Sequence, residues 1–221
     1  MCGRFALVAT PEELERHFHL RRKVTVAPRF NIAPSQQVIT IRSGANGNTT
    51  SAVRWGLIPH WSKDENFSAK LINARAETVQ AKPVFSEAFK ERRCLIPATG
   101  FYEWKNEGNL KQPYFIKMKN GRLFAMAGVW EYWQSPAGVI VETCAIITTE
   151  ANTIVGKIHD RMPMIIPETA YGLWLDKVRD GHHFREYFQP YDPFKMTAYP
   201  VSGMVNYVKN EGEGCIRKID W

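Results

Sequence analysis

Cys2 stands directly behind the initiator Met1, and its place at the start of the chain gives it a reactivity no internal cysteine has. Its side chain is small, so methionine aminopeptidase is expected to accept the Met1–Cys2 bond. Removal of Met1 would leave an α-amine and a thiol two carbons apart, a 1,2-aminothiol, whose particular chemistry is with aldehydes. The amine, ordinarily of pKa about 7.7–8.0, is substantially neutral near pH 7 and can attack a carbonyl. The thiol, ordinarily about 8.5, can then close a five-membered thiazolidine ring. Without that chemistry, position 2 simply tolerates any small residue.

Other residues could serve the same reaction. Glu103 lies among aromatics in Gly100-Phe101-Tyr102-Glu103-Trp104. Burial there would raise its pKa toward neutrality and suit it to proton transfer; the alternative is an outward-facing strand glutamate. His159, followed by Asp160 and Arg161, could shuttle protons or cap a helix end. Asn73 and Arg75 could hold a substrate or orient an amine, or form an ordinary polar strand face. Trp55, Trp61 and Phe67 lie near Arg54, Lys63 and Lys70, an interleaving that suits single-stranded nucleic acid through stacking beside phosphate contacts. Trp61, in a Pro-His-Trp-Ser loop, is the better wedge, and Trp55 on a strand the better core residue.

The elements that must position these groups follow from pattern. Thr10-Pro11-Glu12-Glu13 is a capping box with proline at the first helical position, opening a short helix to about Leu20 whose buried stripe is Leu14 and Phe18, with His17 as a further candidate. Phe30 to Pro34 reads as an irregular loop. Strands are expected over 37–42 and 49–58 around a glycine turn, and over 71–77. In that last segment Ile72, Ala74 and Ala76 share an apolar face while Asn73, Arg75 and Glu77 share a polar one. A helix is expected over 83–92 and strands over 94–96 and 100–105. Asn120-Gly121, between 113–119 and 122–130, is the strongest hairpin signal. A β-rich run over 139–149, a helical turn over 151–157, a loop over 159–163, helices over 167–176 and 181–188 and a strand over 195–201 complete the chain. Strands joined by hairpins with helices inserted give an α+β class, read as one domain over 1–221.

Composition bounds the possibilities. The 221 residues are 44% hydrophobic and 23% charged, ordinary for a soluble protein with a real core. Lys and Arg outnumber Asp and Glu by 29 to 22, a net charge of +7 that suits a polyanionic partner. Cys2, Cys94, Cys144 and Cys215 form no C-x-x-C pair, which argues against a zinc site or a secreted disulfide scaffold. The histidines, including His17/His19 and His182/His183, lack metal-ligand spacing. No metal or cofactor is expected. The apolar run Phe5 to Ala9 is too short for a signal core, and no stretch reaches membrane-spanning length, so a cytoplasmic protein is expected. Dinucleotide, P-loop, nucleophile-elbow, zincin and EF-hand motifs are missing.

Met1-Cys2-Gly3-Arg4-Phe5, Asn31-Ile32-Ala33-Pro34, Trp55-Gly56-Leu57-Ile58-Pro59, Ile72 to Thr78, Gly100 to Trp104 and Ile158 to Pro163 together resemble the SRAP family, the SOS response-associated peptidase or abasic-site processing family. Pro200-Val201-Ser202 and Val208-Lys209-Asn210 extend the resemblance to the C-terminal region. It implies a curled, barrel-like, mixed or antiparallel sheet with inserted and peripheral helices, and a monomer with a basic groove for single-stranded DNA. It further implies that mature Cys2 forms a thiazolidine with the ring-opened sugar of an abasic site. Asn73 would position the amine, Glu103 would act as acid and base, and His159 would assist proton transfer and reversal. Arg4, Arg75 and Arg161 would contact phosphates, and Pro34 and Trp61 would wedge beside the lesion and favour a 3′ junction. Lyase and self-processing peptidase activities, and a nucleoid-associated location when bound to DNA, are implied as well. Some members carry a second tryptophan where this chain has Ser62, which weakens the expected junction preference. The rival readings are an N-terminal-nucleophile glutamine amidotransferase, for which no Asn-Gly-Glu or Gly-Asp-Gly segment is present, and a non-catalytic single-stranded DNA binder.

Overall fold

A computed structural model describes residues 2–21, 23–108, 110–176 and 181–219, with the backbone alone at 181–183. In chain order its first elements are β1 (Phe5–Leu7), α1 (Pro11–Phe18), β2 (Arg29–Ile32), β3 (Gln37–Gly44), β4 (Gly47–Trp55), α2 (Phe67–Lys70) and β5 (Asn73–Arg75). Next come α3 (Pro83–Glu91), β6 (Arg93–Ala98), β7 (Gly100–Glu107), β8 (Leu110–Met118), β9 (Phe124–Gln134) and β10 (Ile140–Glu150). The last are β11 (Arg161–Pro163), β12 (Ile165–Ile166), α4 (Tyr171–Leu175) and β13 (Met196–Pro200).

Strands β10, β4, β3, β6 and β9 are neighbours in that order, and β9 pairs back onto β10, which closes the sheet into a barrel. Closure leaves no open edge in the ring. The β10–β4 pair is parallel and the others antiparallel, so the barrel is mixed. The second sheet runs β13-β8-β7-β1-β2. The chain crosses from barrel to second sheet between β6 and β7, at Gly100, where a Cβ would lie 2.2 Å from the Phe115 ring. Only glycine permits that approach. Phe5 of the second sheet meets Trp55 of the barrel edge to face, with centroids 5.3 Å apart, and both are fully buried. This aromatic pair joins the two sheets three residues after Cys2.

Helix α1 forms as its sequence dictates. Thr10 Oγ1 accepts from Glu13 N at 3.2 Å, and Glu13 Oε2 accepts from Thr10 N at 2.8 Å. The helix ends at His19 in the left-handed region, with Leu14 and Phe18 buried.

Several expectations need correction. Asn120-Gly121 does turn the chain, with Asn120 Oδ1 accepting from Arg122 N at 3.0 Å. The strands on either side are not a hairpin, however: β8 pairs with β7 and β13, whereas β9 belongs to the barrel. Phe30 to Pro34 is not all loop, because β2 pairs with β1 through Phe5↔Ile32. Segment 181–188 forms 3-10 turns, and the helix expected over 167–176 is a 3-10 turn followed by the short α4. The expectations for Met1 and for the His182 and His183 side chains lie outside the described residues. No described helix is long and apolar enough to cross a membrane.

Candidate active site

The second half of β10 builds the site. Leaving β4 after Cys144, it pairs in parallel with β5 through Ile146↔Asn73, Ile147↔Ala74 and Thr148↔Arg75. On its other side it pairs with β11 through Thr148↔Pro163 and Glu150↔Arg161. One strand thus gathers Asn73, Arg75 and Arg161, and His159 lies two residues before Arg161. The β5 alternation holds as read, with Ala74 and Ala76 buried and Arg75 and Glu77 exposed.

Cys2 arrives from the other sheet. Strand β1 pairs with β7 through Phe5↔Phe101, and Tyr102 N donates to the Arg4 carbonyl at 2.9 Å. That register sets the chain start beside Glu103. Cys2 is fully buried, and Asn73 Nδ2 donates to its carbonyl oxygen at 2.9 Å. The other amide atom, Asn73 Oδ1, is buried without a hydrogen-bond partner. An unpartnered buried acceptor is costly, and a donor placed there would be favoured.

The electrostatics follow from burial. Glu103, only 2% exposed, has its carboxyl pKa pushed up to about 7, mainly by burial. The positive amino terminus opposes that rise and the Asp160 carboxylate adds to it. The Cys2 thiol is also pushed up, by burial first and by the Glu103 charge second. His159 is held below its ordinary value, chiefly by burial, with Asp160 opposing. Its Nδ1 faces the Arg161 backbone N–H at 3.0 Å and Asp160 Oδ1 at 2.9 Å. The first contact has Nδ1 accept and the second has it donate, so the two suit different proton placements on the ring. Glu103 and His159 line one cleft of about 420 Å³ with Trp104, Asn106, Lys111 and Asn206.

The three arginines are placed differently from one another. Arg75 is exposed. Arg4 is buried: its Nη1 donates to Asn31 Oδ1 at 2.7 Å and to the Val205 carbonyl at 2.6 Å. Arg161 grips both oxygens of Glu77, Nη1 to Oε1 at 2.7 Å and Nη2 to Oε2 at 2.9 Å. Pro34 is partly exposed, and Trp61 is 51% exposed with its ring edge-to-face on Phe67. Ser62 is buried, and its carbonyl accepts from Trp133 Nε1 at 2.7 Å.

Sequence reasoning missed Trp104 and Asn206 as cleft walls. Trp104 Nε1 donates to Asn206 Oδ1 at 2.7 Å, which couples β7 to the C-terminal segment. It also missed Asn31, whose Nδ2 holds the Tyr207 and Asn210 carbonyls while its Oδ1 receives Arg4. The signals were the polar residue inside Phe30-Asn31-Ile32 and its place at the head of the Asn31-Ile32-Ala33-Pro34 motif. Among the described residues no group of three or more His, Cys, Asp or Glu side chains is arranged to hold a metal ion.

Comparisons with known proteins bear on this arrangement. The chain is 43% identical over 215 residues to the abasic site processing protein YoqW of Bacillus subtilis (strain 168), covering 95% of this chain and 96% of that one. It is 30% identical to the abasic site processing protein YedK of Escherichia coli (strain K12), over 99% of this chain and 100% of that one. It is 31% identical to the abasic site processing protein HMCES of Gallus gallus, over 100% of this chain and 78% of that one. A crystal structure of a protein from Bacteroides thetaiotaomicron superposes with a TM-score of 0.89 at 26% identity, covering 99% of this chain and 100% of that one. The sequence profile described as SOS response associated peptidase (SRAP) matches residues 1–208, and the chain belongs to that family.

Proposed function

We propose that this protein processes abasic sites by capturing them in single-stranded DNA as a covalent adduct on Cys2. The observation that carries the reading is the meeting of buried Cys2 with Asn73 and with Glu103, a residue that also lines the cleft holding His159. The Asn73 amide holds the Cys2 carbonyl at 2.9 Å, and the Glu103 charge is felt by the Cys2 thiol. The names of the relatives and the surplus of basic residues support the same substrate.

With Met1 removed, the Cys2 amine attacks C1′ of the ring-opened sugar. The resulting carbinolamine loses water as Glu103, whose burial favours the protonated carboxyl, gives up its proton to the departing oxygen. The thiol then adds to the iminium carbon, and the Glu103 carboxylate takes the Sγ proton. Nitrogen, C1′, sulfur, Cβ and Cα form the ring. The net change is aminothiol plus aldehyde giving thiazolidine plus one water, and Glu103 ends as it began. A thiol raised by burial suits this order, because it needs a base at the moment of ring closure. Asn73 Oδ1 accepts from the amine and aims it. His159 passes protons when the adduct reverses, and the Schiff-base stage opens a route to strand cleavage by β-elimination.

Intact mass spectrometry of the processed protein, mixed with a single strand carrying one abasic site, tests the proposal. The expected product has the summed mass less one water, survives denaturation and is missing in Cys2→Ala. Binding that leaves no conjugate would make the protein a non-catalytic binder; glutamine hydrolysis without a conjugate would make it an amidotransferase. Either result ends the proposal.

A further inference from the structure

Arg161 presents its guanidinium as a fork already filled. Its two terminal nitrogens grip both Glu77 oxygens at 2.7 and 2.9 Å. Nη2 also donates to the Thr148 carbonyl at 2.7 Å, and Nε is buried without a partner. Of the two edges a guanidinium can offer in bidentate fashion, one therefore faces the protein and the other faces Glu77. The Arg161 side chain is 12% exposed and that of Glu77 is 44% exposed, so the carboxylate lies over the arginine on the solvent side.

We propose that Glu77 occupies the place of a DNA phosphate on Arg161, so that a strand must displace it to engage that arginine in bidentate fashion. The inference rests on the single-stranded DNA reading above and names a residue that tunes it. Carboxylate and phosphate match the same fork geometry. The backbone fixes the contest in place, because Ala76 N donates to the Thr148 carbonyl at 2.9 Å and brings Glu77 across β10 from β11. Arg75, two residues earlier on the same polar face, is exposed. Arg161 holds the Glu77 carboxyl below its ordinary value, chiefly through their hydrogen bonds, so the cap stays charged at neutral pH. Its half-exposed position lets water solvate it once it is displaced.

The consequence is selectivity. A protein that retains its target covalently gains little from tight binding to intact strands, which would only compete with lesions. Setting one arginine against an internal carboxylate lowers affinity for every strand, so that retention rests on the covalent bond to Cys2 and not on that arginine.

The test is the dissociation constant of a labelled, lesion-free single strand, measured by fluorescence anisotropy across a salt series. Glu77→Gln is expected to tighten binding about three- to tenfold at low salt and to steepen the salt slope by about 0.7, the share of one more phosphate contact. Glu77→Ala, measured alongside with its thermal stability, must move the same way. Glu150→Gln removes one exposed charge at the β10 position paired with Arg161 and leaves the fork filled, so its effect should be clearly smaller. Glu77→Gln weaker than or equal to wild type would overturn the inference and make Glu77 a residue that orients Arg161 onto DNA. Equal gains from Glu77→Gln and Glu150→Gln would also overturn it, as a general charge effect. Wild type that binds no single strand at all would bring down the DNA reading itself.

Discussion

Asn73 and Cys2 are 71 positions apart, and their 2.9 Å bond ties the barrel to the chain start carried by the second sheet. Asn73→Ala removes the bond to the Cys2 carbonyl and the buried, unpartnered Oδ1 acceptor beside it. Its expected effect is a crosslinking rate about ten- to a hundredfold lower at saturating DNA, since a slightly misplaced nucleophile loses most of its advantage. Affinity for an intact strand should stay near wild type. Single-turnover crosslinking and anisotropy, measured on the same preparations, separate the two quantities. Affinity lost in step with rate would make Asn73 a binding residue.

Cys2→Ser keeps the amine and replaces sulfur with an oxygen that is hardly acidic. It is expected to form an imine that borohydride traps, and no conjugate that survives without reduction. A stable unreduced adduct from this variant would show that sulfur is not needed and that the ring is not the product.

Glu103 should cost the fold stability above acidic pH. Its folded pKa of about 7 lies above the ordinary 4.5, so between those values the native state binds more protons than the unfolded one. Stability contributed by the neutral carboxyl is full below about pH 4.5, falls as pH rises and is gone above about pH 7. Glu103→Gln is therefore expected to be more stable than wild type by on the order of 2–3 kcal/mol at pH 8, and by little near pH 4.5. The same variant should slow ring closure and remove the inflection near neutrality from the rate–pH profile. Denaturant titrations at the two pH values check the sign, and a gap that is widest in acid would refute the assignment.

These sites differ in how far the sequence alone could reveal them. The α1 capping box and the two faces of Ile72 to Glu77 were legible because each depends on residues a few positions apart. Trp55 was rightly read as core, and it supports Phe5. The burial of Glu103 was left open, since an alternating strand does not say which face meets a second sheet; the β1–β7 register decides it. Asn120-Gly121 misled because turn chemistry is local while the choice of partner strand is not. β2 escaped notice because four residues ending near a proline become a strand only through pairing with β1. The role of Glu77 was invisible, as its partner Arg161 lies 84 positions away.

Trp61 is half exposed and rests on Phe67, so removing its ring should barely touch the fold. Trp61→Ala is expected to change stability by no more than about 0.5 kcal/mol. If the ring stacks on a base, intact-strand affinity should fall by about 1–3 kcal/mol with little change in salt slope, because stacking releases no counterions. An unchanged affinity would remove Trp61 from the interface.

The loop that carries Trp61 hangs on a buried carboxylate. Glu131 is 3% exposed; its Oε2 takes Arg92 Nη2 at 2.9 Å and lies 3.3 Å from Nδ1 of His60, the residue before Trp61. Among the described residues, Arg92→Ala leaves that charge buried with His60 and the Tyr132 N–H beside it, and the latter bond, at 3.0 Å, is too little compensation. A loss of about 3–5 kcal/mol is expected, the usual cost of breaking a buried pair from one side. Glu131→Gln should cost less, since an amide tolerates burial better than an unpaired carboxylate does. Combining the two changes should recover part of the Arg92→Ala loss, because the stranded charge is then gone. Denaturant unfolding of the two single variants and the double variant measures that coupling. Strict additivity would mean that the Glu131 charge does not need Arg92, and that the Trp61 loop is held by its own backbone contacts.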